Sequence, residues 1–138
     1  MITVGDFIHK LFEVSKESAD MDLDMARQKG LVEENDILSL CDELDRKTAA
    51  RLIHCFLKII LREPDEADIT PAYELKDLFD CRVCAGHIAQ VYLKGIMDKA
   101  DIEGICIFDG IEKVTAKETD SYIKRIKNRE SRMGDCDE

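Results

Sequence analysis

Leu44-Asp45-Arg46-Lys47-Thr48-Ala49-Ala50-Arg51-Leu52-Ile53-His54-Cys55-Phe56-Leu57-Lys58-Ile59-Ile60-Leu61 is the stretch on which the reading of the fold turns. Ala49, Leu52, Ile53, Phe56, Leu57 and Ile60 recur three or four positions apart, which predicts a helix from Asp45 to about Arg62 with one wide apolar stripe. The way this helix begins occurs twice more, at Ile2-Thr3-Val4-Gly5-Asp6-Phe7 and at Val114-Thr115-Ala116-Lys117-Glu118-Thr119. In each, an aliphatic residue precedes a capping side chain (Thr3, Asp45, Thr115), and a polar residue follows three places on (Asp6, Thr48, Glu118). Such pairs satisfy amides that the first helical turn leaves without partners.

Working outward, a first helix is expected from Thr3 to about Lys16. A short one follows from Ser18–Asp20 to Lys29, with Met21, Met25 and Ala26 inward and Gly30 as its left-handed stop. Residues 33–43 read as a connecting arm in which Ile37, Leu38 and Leu40 dip into the core. Residues 63–72 form an acidic linker that holds both prolines, Pro64 and Pro71. A helix is expected from Gly86 to Met97. Residues 98–113 are then a loop anchored by Ile102, Ile105, Ile107, Phe108 and Ile111, and a last helix runs from Thr115 to about Arg129. Residues 131–138 read as a disordered polar tail. Because nothing interrupts the periodic segments, the expected class is all-α. The order helix, helix–loop–helix, helix–loop–helix marks a degenerate internal repeat: 1–17 closes one unit, 18–62 is the second, and 73–130 is the third, all within a single domain of 1–130.

The 138 residues carry a net charge of −10. Between Glu13 and Asp45, eleven acidic residues face three basic ones, a surface that repels phosphate backbones and so argues against nucleic acid as a partner. The basic cluster Lys124–Arg132 falls where a helix C-terminus favours cations. Six cysteines are scattered among apolar stripes and a polar tail, a pattern that fits free thiols in a reducing cytoplasm. No apolar run is long enough to cross a bilayer, and no charged-then-apolar leader opens the chain. The expected location is therefore cytoplasmic, or the cell surface if the chain is an excised domain or a trimmed precursor.

Phe79-Asp80, Ala85-Gly86-His87-Ile88-Ala89, Tyr92-Leu93, Gly95-Ile96, Phe108, Val114-Thr115 and Glu118 together resemble one repeat of the S-layer homology family. Those repeats read roughly F-x-D-V-x-x-x-H-W-A, then Gly-Ile, then an I-T-R-A-E helix start. Met25-Ala26, Gly30-Leu31 and Leu44-Asp45-Arg46 resemble a second repeat, and Ile2-Thr3 to Leu11 the closing helix of another. The resemblance implies a pseudo-threefold bundle of three long helices with shorter helices and irregular connecting loops. It also implies non-catalytic anchoring to bacterial cell-wall polysaccharide through the arginine of the helix-start motif. That arginine is retained at Arg46 and replaced by Val4 and Ala116 at the matching positions, while Ile88 stands where the family has tryptophan. Two lost cationic ligands would weaken glycan binding by about 1.5–3 kcal/mol each.

Cys81-Arg82-Val83-Cys84-Ala85-Gly86-His87 is the stretch that looks most like a chemical site. Cys81, Cys84 and His87 have a spacing that would supply three zinc ligands, with a fourth from Cys106, Cys41, His54 or water. The same two thiols near a helix start would also suit a redox pair, and simple packing is the alternative to both. A calcium loop at Asp98–Gly104 fails on register. His9 and His54 read as packed helix residues, and no phosphate loop, dinucleotide fingerprint or H-E-x-x-H is present. The expected function is a non-catalytic, cofactor-free module that recognises another protein. A wall-glycan anchor using Arg46 and a small zinc or thiol-redox protein are the alternatives.

Overall fold

A computed structural model describes residues 1–129 and residue 132. Seven α-helices are present among them: α1 (Val4–Phe12), α2 (Lys16–Ala19), α3 (Leu23–Lys29), α4 (Glu34–Leu38), α5 (Arg46–Ile59), α6 (Arg82–Leu93) and α7 (Ala116–Lys127). Two 3-10 turns, Thr70–Glu74 and Leu78–Asp80, precede α6. An antiparallel hairpin, β1 (Ala100–Ile102) and β2 (Ile105–Ile107), separates α6 from α7.

The three matching helix starts are capped. Thr3 and Asp6 exchange side-chain to backbone bonds of 3.0 and 3.1 Å, and Thr115 and Glu118 do so at 2.9 and 3.1 Å. Asp45 accepts from the Thr48 N–H at 2.9 Å. These starts also lie edge to edge, since Thr3 bridges to Glu43 and Asp45 bridges to Lys113, both antiparallel. Val4 N–H donates to the Asp42 carbonyl and Leu44 N–H to Ile2, at 2.9 and 2.8 Å. Arg46 N–H reaches Glu112 and Val114 N–H reaches Leu44, each at 3.0 Å. The segment ahead of α5 is thus clasped on both sides, which fixes where α1, α5 and α7 enter the core.

Phe7, Leu44, Leu52, Ile53, Phe56, Leu57 and Phe108 are fully buried in one continuous core. Each such side chain contributes about 1.5–3 kcal/mol relative to leaving it in water. The α5 stripe packs most extensively on α6 and also on α1, while α1 touches α7. Among the described residues no helix is long and apolar enough to cross a membrane.

Several expectations are corrected. The fold is mostly helical but mixed, not all-α, because residues 98–113 hold the hairpin instead of an irregular loop. Its two-residue turn, Glu103-Gly104, has positive φ at both positions (53° and 82°), the geometry that matches strand twist. Ile102, Ile105 and Ile111 are consequently exposed, Ile107 is half-buried, and Phe108 alone of the five proposed anchors is fully buried. The arm at 33–43 contains α4, with Leu38 on the outside. The second short helix is divided into α2 and α3 because Ser15 and Asp22 each cap a new start; Met25 on α3 is exposed. Gly30 ends α3 at φ 86°. Of the tail expected at 131–138, Arg132 is buried, and the other positions lie outside the described residues.

Candidate functional site

The 3-10 turn ending at Asp80 leads straight into α6, and the exit of β2 folds against it. Asp77 holds the two together, its carboxylate accepting from the N–H of Phe108 at 2.7 Å and of Asp109 at 2.8 Å. Between them opens a cleft of about 370 Å³. Ile88, Ile107 and Ile111 form its apolar lining, Asp80 and Lys47 its charged part, and Cys81 stands in its wall. Ile111 in this lining is 75% exposed. Phe79 and Val83, which lie close in sequence to the wall residues Asp80 and Cys81, are 58% and 85% exposed, and the Phe79 ring meets the edge of Tyr73.

Cys81 stands at the position just before α6 and is joined to Cys84, in the first turn of that helix, by a disulfide with a Cα–Cα distance of 5.2 Å. The expectation of free thiols throughout is therefore corrected at this pair; Cys41, Cys55 and Cys106 are free. Cys81 faces the cleft, whereas Cys84 packs against the core. With both sulfurs bonded to each other, neither is a thiolate ligand in this state. Among the described residues no group of three or more His, Cys, Asp or Glu side chains is placed to hold a metal.

His87 lies one turn beyond Cys84 and is drawn toward α5. Its Nδ1 is 2.8 Å from Nδ1 of His54, and His54 Nε2 is 2.7 Å from the Asp65 carboxylate. One imidazole of the pair must present a bare nitrogen to the other's N–H. Burial, and then the neighbouring His54, push the His87 pKa down to about 4. His87 is thus a neutral group that links helices, and His54 is a buried partner of the linker.

Arg46, the residue singled out as a glycan ligand, is 7% exposed and turned inward. Its Nε donates to the Phe108 carbonyl at 2.9 Å, one terminal nitrogen donates to the Tyr122 hydroxyl at 3.0 Å, and the other donates to the Asp98 carbonyl. The guanidinium lies 4.5 Å above the Phe108 ring, and Glu118 approaches at 3.8 Å. Arg46 edges a second, polar cleft of about 340 Å³ that also includes Lys99, Glu118 and Tyr122. Its donors are committed to holding the hairpin exit and α7 against α5, which leaves little for an external sugar.

The linker is fastened down by residues that sequence reasoning passed over. Glu63 is buried, accepts two bonds of 2.9 Å from Arg132, and lies 3.1 Å from Lys94 and 3.2 Å from Arg129. Burial alone would raise its pKa, but hydrogen bonds from Arg132 and Lys94 bring it down to about 2. Gln90 exchanges two bonds with the Glu66 backbone at 2.7 and 3.1 Å, and Lys94 donates to the Pro64 carbonyl at 2.6 Å. No local pattern pairs positions so far apart. The one available signal was the presence of Gln90 and Lys94 amid the apolar residues of the Gly86–Met97 helix, where polar side chains need partners.

No family model matches this chain, and no curated protein or solved structure matches it.

Proposed function

We propose that this chain is a non-catalytic binding module, built on a frame like that of the S-layer homology repeats, and that it recognises another protein through the cleft beside Cys81. The exposure of Ile111 in the lining of an open, partly apolar cleft, with exposed Phe79 and Val83 close in sequence to its wall residues Asp80 and Cys81, carries this reading. Large apolar side chains gathered at one depression are the usual mark of a docking surface, whereas isolated ones need no explanation. The acidic surface and the lone cationic cluster favour a protein partner over nucleic acid. The free thiols Cys41, Cys55 and Cys106 favour work inside the cell.

Wall-polysaccharide anchoring has weaker support, because Arg46 spends its donors internally. The two readings are separated by offering the protein both purified cell-wall sacculi and a lysate of its own host. Docking predicts a specific retained protein that is lost in Ile111→Glu and Val83→Glu, with circular dichroism unchanged. Retention on sacculi that survives both substitutions would overturn it.

A further inference from the structure

We propose that Cys81 and Cys84 form a reversible dithiol–disulfide couple that exchanges with a cysteine pair on a protein, with Cys81 as the sulfur that is attacked. The proposal goes beyond docking and does not depend on it, although both use the same cleft.

Four observations support it. The bridge spans a sequence separation of only 3. Disulfides stabilise folds more as the loop they close lengthens, so this one contributes less as a staple than a bridge across a long loop. Both residues lie at the start of α6, a helix that packs on α5 and on the 3-10 turn before it. The two sulfurs are also unequal: Cys81 borders an open cleft, while Cys84 packs on the core. Finally, Cys84 is in the first turn of a twelve-residue helix, where the amide dipoles favour a departing thiolate.

The step balances without an outside oxidant. A partner thiolate entering the cleft attacks Sγ of Cys81, the Cys81–Cys84 bond breaks, and Cys84 leaves as a thiolate that takes a proton from water. The partner's second thiolate then attacks its own sulfur in the mixed disulfide and releases Cys81. Two electrons pass to the pair, the partner dithiol becomes a disulfide, and the two protons it lost are regained by Cys81 and Cys84. His87, one turn away, faces His54 and is not needed for the exchange.

The cleft also indicates which thiols fit. Asp77, Asp80 and Asp109 border it together with Lys47, Ile88, Ile107 and Ile111, so carboxylates outnumber cations there three to one. Anionic glutathione is disfavoured there, whereas a cysteine flanked by basic and apolar residues is complementary.

The test uses the whole protein. It is held in buffers of stepped dithiothreitol ratio, quenched with acid, alkylated and mapped by peptide mass. The expected result is one reversible transition in which Cys81 and Cys84 change together, with unaltered circular dichroism. A disulfide-bonded peptide with lysine and leucine beside its cysteine is then offered to single variants. Cys84→Ser is expected to trap the peptide on Cys81, and Cys81→Ser to react at least tenfold more slowly. Reduced glutathione should open the native bridge at least tenfold more slowly than the reduced peptide at equal thiol. Loss of helical signal on reduction would make the bridge a structural staple and overturn the proposal. Equal trapping on the two sulfurs would overturn it as well. Uptake of one zinc per reduced chain, abolished by His87→Ala, would reassign the pair to a metal site.

Discussion

His54 on α5 and His87 on α6 meet with their Nδ1 atoms 2.8 Å apart, where the two most closely packed helices of the fold join. Two protonated rings cannot share that contact, because both nitrogens would then carry hydrogen. This places a pH limit on the seam. The folded-state pKa of His87 is about 4, below its ordinary 6.5, so the unfolded chain takes up the proton first. Stability is therefore full above pH 6.5 and falls as pH drops toward 4. Urea midpoints at pH 7.5 and 5 should show the fall, and His87→Gln should flatten it.

A second, more acidic limit comes from Glu63. Its folded-state pKa of about 2 lies below the ordinary 4.5, so its contribution is complete above pH 4.5 and disappears as pH falls through 2. At neutral pH, Glu63→Gln should cost about 3 kcal/mol, since it leaves Arg132 and Lys94 buried beside a neutral amide. A double-mutant cycle with Arg132→Ala, measured by urea denaturation, should show the two losses to be strongly non-additive.

Arg46→Ala should destabilise the protein by about 3 kcal/mol, because three internal acceptors lose their donor together. Arg46→Lys should recover only a minor part, since an ammonium group cannot reproduce the planar fork or the stacking on Phe108. Loss of any ligand binding in Arg46→Ala would thus report on folding and must be read alongside a thermal melt.

Thr3→Ala and Thr115→Ala should each cost about 1 kcal/mol, as each removes the acceptor of a reciprocal cap. Calorimetric midpoints of the two variants and of their combination should add, because the caps have no common side-chain partner.

The long helices were legible in the sequence because their signals are local. Stripe spacing and the paired capping residues placed the starts of α5, α1 and α7 to within a residue, whereas α5 ends at Ile59, short of Arg62, and α1 at Phe12, short of Lys16. The hairpin was missed because Glu103-Gly104 is a weak turn signal, and because Ile102, Ile105 and Ile107 look like core residues when only hydropathy is considered. α6 begins at Arg82, earlier than expected, since Cys81 and Cys84 read more readily as a ligand pair than as a helix start. Cys81, Cys84 and His87 were singled out together, but His87 turns to α5 while the two sulfurs bond each other. Arg46 illustrates the same limit. A motif marks where an arginine stands on the chain, but only the folded neighbours decide whether its donors point to solvent or to Phe108, Tyr122 and Asp98.

The clasp joining the three capped starts is made of peptide groups: Val4, Leu44, Arg46 and Val114 each contribute a main-chain N–H. Almost any amino acid supplies that group equally well, so this seam places few demands on side-chain identity. Proline, which lacks the hydrogen, is the substitution it forbids. Segments joined in this manner can change in composition and still enter the core at the same places, because the join reads the main chain and not the side chains.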